Sequence, residues 1–402
     1  MASSEPLHPE AAAERIERHR KGDFTLRATD RAGRPLSATI EARHERHAFL
    51  FGCNCFPLLG YEDPALETAY EQRFAGLLNY ATLGFYWGTY EPAPGETREE
   101  RLRAQAEWLK QRGIQRKGHP LVWHEVVPKW LPDDPDAVRD LAIRRVRDLV
   151  ERFRGLVDWW DVFNELQAAG NFDNPVSGWV TRAGVDAVEE ALRAAREANP
   201  DAFLLYNDYQ IGDGLAAIVE ELLRRGAPVD ALGLQSHMHQ GETPLQEIWD
   251  RCERFSQYGL PLHFTELTVV SGKHGWMLQP WPEEEGGEER QADYAESLYR
   301  LLFSHPAVQA VTWWDLQDGA WMGAPGGLLR RDLTPKPAYE RLRRLVRDEW
   351  ATEVRGRTDP LGALRFRGFH GSYRVRVEAD GVASEFRVEL GPGRPEATLA
   401  IG

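Results

Sequence analysis

Between about Ala48 and Asp348 the chain repeats one local pattern, a short and mostly apolar run followed by an amphipathic helix. Eight such runs are legible: Ala48-Phe-Leu-Phe-Gly, Tyr80-Ala-Thr-Leu-Gly-Phe, Gln115-Arg-Lys-Gly-His, Val157-Asp-Trp-Trp-Asp-Val-Phe-Asn, Ala202-Phe-Leu-Leu-Tyr-Asn, Ala231-Leu-Gly-Leu-Gln-Ser, Leu262-His-Phe-Thr-Glu and Ala310-Val-Thr-Trp-Trp. The clearest helix runs from Asp136 to Phe153, with Val138, Leu141, Val146, Leu149, Val150 and Phe153 on one stripe and Gly155 past its end. Eight buried strands with helices between them make an α/β fold, and the expectation is a (β/α)8 TIM barrel over residues 48–348. A doubly wound sheet is the competitor, but no glycine-rich phosphate loop follows the first run.

The two ends read differently. A polar helix from Pro9 to Lys21 precedes two alternating segments, Asp23-Phe-Thr-Leu-Arg-Ala and Ala38-Thr-Ile-Glu-Ala-Arg, joined by Asp30-Arg-Ala-Gly-Arg-Pro35. These predict a β-hairpin with one buried face within residues 1–47. Within residues 349–402, Tyr373, Val375 and Val377 alternate with charged residues, Asp380-Gly381 marks a turn, and Phe386, Val388 and Leu390 continue the alternation. A lone hairpin is marginal in water, so the termini are expected to meet in one small appended antiparallel β-domain.

Composition narrows the partners. The net charge is −14 and no Lys/Arg block stands apart from acidic neighbours, so a nucleic-acid partner is not expected. No run of eighteen apolar residues occurs, so no membrane-spanning helix is expected. The start, Met1-Ala-Ser-Ser-Glu-Pro, has no apolar segment, which reads as cytoplasmic; a secreted or periplasmic chain relieved of its signal would read the same. Cys53, Cys55 and Cys252 cannot form a disulfide framework, and the first two make a poor zinc pair without a second cluster. The oligomeric state is not legible. Fourteen tryptophans, many near strand ends, suit stacking on flat ligands such as sugars as well as filling a large core.

In a barrel of this kind chemistry sits at the carboxyl ends of the strands. The fourth run closes on Asn164-Glu165, the fifth on Asn207-Asp208, the sixth on Gln235-Ser236-His237, the seventh on Glu266 and the eighth on Trp313-Trp314. The third leads into His119-Pro-Leu-Val-Trp123-His124. Two glutamates, on strands that oppose one another across the barrel, suit glycoside hydrolysis. One carboxylic acid protonates the leaving oxygen while a second carboxylate attacks or activates water.

The segments Trp160-Asp-Val-Phe-Asn-Glu165, Gly118-His-Pro-Leu-Val-Trp-His124 with Pro128 and Trp130, Tyr206-Asn-Asp-Tyr209, Gln235-Ser-His237, Thr265-Glu-Leu267 and Pro335-Lys-Pro-Ala-Tyr339 together resemble glycoside hydrolase family 10, the retaining endo-β-1,4-xylanases. The resemblance runs in order from Phe51 to Tyr339, and the spacing of 101 residues between Glu165 and Glu266 matches the family's. It implies hydrolysis of xylan or xylo-oligosaccharides by double displacement, with Glu165 as acid/base and Glu266 as nucleophile. It further implies that Asn164 binds the sugar 2-hydroxyl and that His237 hydrogen-bonds the nucleophile beside Gln235. His119, Trp123, His124, Asn207, Trp314, Trp321 and Trp87 would line the sugar site. The family needs no metal and no cofactor, and its partner is a polysaccharide or oligosaccharide.

Two departures stand out. Where the family carries Glu-Asn-x-x-Lys-Trp after its second strand, this chain has Leu83-Gly-Phe-Tyr-Trp87-Gly-Thr-Tyr-Glu-Pro92; and Thr268 follows Glu266-Leu267 where the family usually has Asp. Loss of the polar grip implies weaker cleavage of plain xylan and leaves room for another β-linked or decorated glycoside. The residues also admit two other classes. His237-Met-His239 has the spacing of a metal-binding pair in a metal-dependent barrel hydrolase, and a barrel kept only for carbohydrate binding is the non-enzyme alternative. The acidic loop 283–289 reads as a solvated insertion, and the alternative is that its neighbours Trp276 and Trp281 reach the cleft from the seventh strand.

Overall fold

The computed structural model describes residues 7–402. In chain order its strands are β1 (Lys21–Thr29), β2 (Thr39–His47), β3 (Leu50–Asn54), β4 (Tyr80–Gly84), β5 (Gln115–His119), β6 (Trp159–Asn164), β7 (Phe203–Asp208), β8 (Ala231–Leu234), the short β9 (His237–Met238), β10 (Leu262–Val269), β11 (Val308–Trp313), β12 (Glu353–Arg357), β13 (Ala363–Phe369), β14 (Gly371–Ala379), β15 (Val382–Leu390) and β16 (Glu396–Ala400). The chain divides into two compact units. One holds the residues up to Leu50 with 296–306 and 340–402; the other holds 51–295 and 307–339.

The larger unit is the barrel. Strands β3, β4, β5, β6, β7, β8 and β10 lie side by side in that order, and β11 pairs with both β3 and β10, which closes the ring. From β3 through β8 and β10 to β11 each strand runs parallel to the next, as βαβ crossovers require. The strands are buried almost throughout; every residue of β10 is buried, for example. A strand buried on both faces has no polar side to show, which is why most of these segments read as apolar runs; β5, Gln115-Arg-Lys-Gly-His119, is the polar exception. The helix Pro135–Arg152 starts where Asp134 accepts the Asp136 N–H and ends before Gly155, whose φ is +77°.

The smaller unit corrects one expectation. β1 and β2 do not form a hairpin. β1 lies between β13 and β16 in a three-stranded sheet, and β2 lies between β12 and β14 in a four-stranded one that ends in β15. Both sheets turn their apolar faces to one core, which contains Phe24, Leu26 and Leu399 from one and Ile40, Tyr373 and Val375 from the other. Period-two alternation reports a buried face and says nothing about which strand lies alongside, so a sandwich satisfies it as well as a hairpin does. The expected turn at Asp380-Gly381 is present: φ is +50° and +79° there, and β14 and β15 pair directly across it.

Candidate active site

The carboxyl ends of the barrel strands open into a cavity of about 860 Å³. Glu165 follows β6 with φ +61° and ψ +47°, a left-handed conformation that a non-glycine residue adopts only when its surroundings enforce it. Here the Glu165 N–H donates to the Asn207 carbonyl (2.9 Å) and the Glu165 carbonyl accepts from the Ala168 N–H (3.0 Å). Glu266 sits within β10 and its N–H donates to the Gln235 carbonyl (3.0 Å). Both side chains line the cavity, yet the residues are only 8% and 5% exposed.

One amide network joins them. Asn207 Nδ2 donates to Glu266 Oε1 (2.8 Å) and to Asn164 Oδ1 (2.7 Å), and Asn164 Nδ2 donates to Glu165 Oε1 (2.9 Å). Gln235 Nε2 donates to the same Glu165 oxygen (2.6 Å), and Trp123 Nε1 donates to the other (3.0 Å). Thr265 Oγ1 holds the Asn207 side-chain oxygen at 2.6 Å. Gly233 in β8 leaves the space for this: a Cβ there would overlap the Asn207 side chain.

The two carboxyl groups differ electrostatically. Burial, and then the charge of Glu266, push Glu165 up to about 8, against the bonds from Gln235 and Trp123. Burial works the same way on Glu266, but His119 (Nε2 3.9 Å from Oε1) and His237 (Nε2 3.2 Å from Oε2) more than offset it and hold that carboxyl below the ordinary range. Under the site lies a charged pair without exposure to solvent, Lys117 Nζ to Asp161 Oδ2 at 2.6 Å, and the same Asp161 oxygen meets His119 Nδ1 at 2.8 Å. Burial opposes ionisation of Asp161, and Lys117 and His119 overcome it. Sequence reasoning passes over both Lys117 and Asp161: Asp161 is a charge inside an apolar strand, whereas Lys117 lies in the polar run Gln115-Arg-Lys-Gly-His119 and gives no such sign. Gly118 between Lys117 and His119 cannot carry a side chain, because a Cβ would overlap the Trp160 ring.

Most of the expected rim residues converge. His119, Trp123, Asn164, Gln235, His237, Trp314 and Trp321 line the cavity, and Asn207 reaches it through Glu266. The Trp321 ring stacks on His237 with centroids 4.6 Å apart and planes 3° from parallel. Two expectations are corrected. Trp87 does not line the cavity: it is 5% exposed, donates to Glu91 Oε2 (3.1 Å), and packs edge-on to Trp130. The preceding ring, Tyr86, takes the place at the wall. His124 is fully buried behind Trp123, against Phe172 (4.8 Å), and burial pushes it down to about 4. In each case the motif marks the right turn of chain, but adjacent residues point to opposite sides. Of the two flanking tryptophans, Trp276 lines the cavity and Trp281 lines a separate surface pocket. Asp315 lines the cavity too, a residue with no signal in the sequence beyond following Trp314.

His237 spends both ring nitrogens on Glu266 and on Thr268 Oγ1 (2.9 Å), and His239 packs edge-on to Trp321 (4.8 Å). Among the described residues, no three His, Cys, Asp or Glu side chains gather as they would to hold a metal ion. No described helix is long and apolar enough to cross a membrane.

Anti-sigma-I factor RsgI6 of Acetivibrio thermocellus is 29% identical over 400 residues, 96% of this chain and 49% of that protein. Endo-1,4-beta-xylanase B of Thermotoga neapolitana is 28% identical over 283 residues, 65% of this chain and 78% of the relative. The chain thus spans about half the length of the first of these. Xylanase 10B from Thermotoga petrophila, solved in complex with xylobiose, superposes with a TM-score of 0.64 at 25% identity, covering 75% of this chain and 95% of that one. A family 10 structure from Paenibacillus barcinonensis gives 0.64 at 27%, covering 74% and 94%. The model of glycosyl hydrolase family 10 matches residues 84–345. That match takes in well over half the chain, including both buried glutamates and the amides between them, and the chain belongs to glycosyl hydrolase family 10.

Proposed function

We propose that the chain hydrolyses β-1,4-xylosidic bonds in xylan or xylo-oligosaccharides by double displacement, with retention at the anomeric carbon. The observation that carries this reading is a pair of buried carboxyl groups joined by one amide network, with Glu266 flanked by His119 and His237 and Glu165 held by the neutral donors Asn164, Gln235 and Trp123. Glu165, held up to about 8, keeps its proton at neutral pH and acts as general acid; Glu266, held low by His119 and His237, stays ionised and acts as nucleophile.

The steps follow from the contacts. Glu266 attacks the anomeric carbon while Glu165 delivers its proton to the departing oxygen. The Glu165 carboxylate then lies next to a neutral ester, no longer next to a charge, and takes a proton from the incoming water. Asn207 and His237 hold the nucleophile's two oxygens, so it presents a fixed lone pair. Asn164 is placed to meet the ring's 2-hydroxyl once a sugar displaces part of its bond to Glu165. A 2-deoxy-2-fluoro-β-xyloside with a good leaving group tests the reading. Mass spectrometry is expected to find one fluoro-sugar per chain, on the peptide containing Glu266. An unlabelled chain, or a label elsewhere, contradicts it.

A further inference from the structure

The cavity ends abruptly on one side. Tyr86, just past β4, sets its ring against those of Phe56 (5.7 Å), His119 (5.5 Å) and Trp123 (5.6 Å), and Phe56 meets Trp314 edge-on (5.3 Å). Rings thus run unbroken from Trp123 to Trp314 past His119, the neighbour of Glu266. Phe56, Tyr86 and Thr89 also line a second, separate cavity of about 270 Å³ on their far side, so the rings divide two spaces that would otherwise join.

This wall is fixed. Arg145, fully enclosed, donates to the carbonyls of Phe85 and Leu121, one beside Tyr86 and the other two residues before Trp123. The Phe85 N–H donates to the His119 carbonyl (2.6 Å), and the Tyr86 carbonyl accepts from Thr89 and Tyr90. Gly84 lets the rings close in, since a Cβ there would stand 3.1 Å from Phe56 and 3.4 Å from Tyr86.

The wall stands on the nucleophile's flank. Tyr86 and Trp314 both set their rings against His119 (5.5 and 5.4 Å), whose Nε2 lies 3.9 Å from Glu266 Oε1, and the Trp314 N–H donates to the carbonyl of Leu267 next to Glu266 (2.8 Å); only the far end of the wall, Trp123, reaches Glu165. On the acid's flank Tyr209 feels the charge of Glu165, and the cavity runs on there past Phe172 and Ile211. The sugar that is attacked lies over the nucleophile and the leaving group lies beyond the acid, so the blocked end is the non-reducing one.

We propose that this site admits one sugar ring on the non-reducing side of the scissile bond, and therefore trims a β-linked xylose chain one residue at a time from its non-reducing end. Each turnover consumes one water and yields free xylose and a chain one unit shorter, with a new hydroxyl on the latter. Asp315, 6% exposed, lining the cavity and next in the chain to Trp314 of the wall, is the residue placed to receive the terminal ring's free hydroxyl. The inference rests on the double-displacement reading above, which it extends to the mode of attack.

The test is xylohexaose labelled at its reducing end with 2-aminobenzamide, sampled at under a tenth of conversion. Xylose and labelled xylopentaose are expected as the first products. Labelled xylobiose or xylotriose at that stage would overturn the proposal. On aryl substrates, kcat/KM for the β-xyloside is expected to equal or exceed that for the β-xylobioside; a tenfold preference for the xylobioside would overturn it. Tyr86→Ala is expected to shift that ratio at least tenfold toward the xylobioside, and an unchanged ratio in a folded variant counts against the wall. No turnover of any of these substrates and no fluoro-sugar labelling would instead overturn the hydrolase reading, and this inference with it.

Discussion

Thr268 presents a hydroxyl to Nδ1 of His237 at 2.9 Å. That hydroxyl donates its own hydrogen to the Trp314 carbonyl (2.6 Å), so toward His237 it can only accept. Nδ1 must therefore carry a hydrogen, and Nε2 can donate to Glu266 only from the doubly protonated ring. The nucleophile's support thus depends on an imidazolium backed by a neutral oxygen and not by a carboxylate.

Thr268→Val removes the acceptor and with it the anchor for the imidazolium. Loss of one hydrogen bond to a charged donor is worth about 1.5–3 kcal/mol, so kcat/KM is expected to fall on the order of tenfold or more. Because His237 lowers the Glu266 carboxyl, the acidic limb of the kcat/KM–pH profile is expected to move up in Thr268→Val and down in Thr268→Asp. Superimposable profiles for the three proteins would refute the arrangement.

Glu165 sets the other limb. With its carboxyl held up to about 8, kcat/KM on substrates with poor leaving groups is expected to fall above pH 8 as the acid loses its proton. In Glu266→Gln the second cause of that elevation is gone, so the Glu165 carboxyl is expected to titrate lower. Carbon-13 NMR of labelled glutamate reads this directly, and an unmoved Glu165 resonance midpoint would show that the two groups do not interact.

The same elevation ties stability to pH. The folded chain keeps the Glu165 proton up to about 8, while an unfolded chain releases it near the ordinary value of 4.5. The group's contribution is therefore complete below 4.5 and is lost as pH rises toward 8, by about 1.4 kcal/mol per pH unit between them. Glu165→Gln is expected to melt higher than the parent at pH 7.5 and to show little difference at pH 4.5. Equal differences at both pH values would contradict the burial argument.

Gly233 offers a test at one remove from the chemistry. A methyl group in Gly233→Ala would displace the Asn207 amide that spans Glu266 and Asn164. Activity is expected to fall at least tenfold while the fold survives, as judged by circular dichroism and by retained thermal cooperativity. Full activity would mean that Asn207 does not position the pair.

The barrel was legible because doubly buried parallel strands have no polar face, so Leu262 to Glu266 or Ala202 to Asn207 stand out as runs closed by a functional residue. The glutamates, Asn164, Gln235 and His237 were legible for the same reason: they are among the polar residues that close those runs. What could not be read was orientation at single-residue steps. Tyr86 and Trp87 are neighbours, as are Trp123 and His124, and only the packed turn decides which ring meets the cavity. Strand partnership in the sandwich was equally hidden, since the alternation in β1 and β2 reports the shared core and not the lateral neighbour. The part played by Gly233 is a matter of space left for Asn207, and a glycine in an apolar strand gives no sign of that.

Azide rescue tests the central assignment most directly. Glu266→Ala supplied with azide and an activated aryl β-xyloside is expected to form α-xylosyl azide, because azide enters from the vacated nucleophile's face. Glu165→Ala is expected to keep its first step on such substrates and to yield β-xylosyl azide, formed when azide attacks the covalent intermediate in place of water. The anomeric proton coupling in the NMR spectrum distinguishes the two products. Opposite anomers from the two variants are the predicted result; the same anomer from both, or the α-product from Glu165→Ala, would contradict the roles given to the two glutamates.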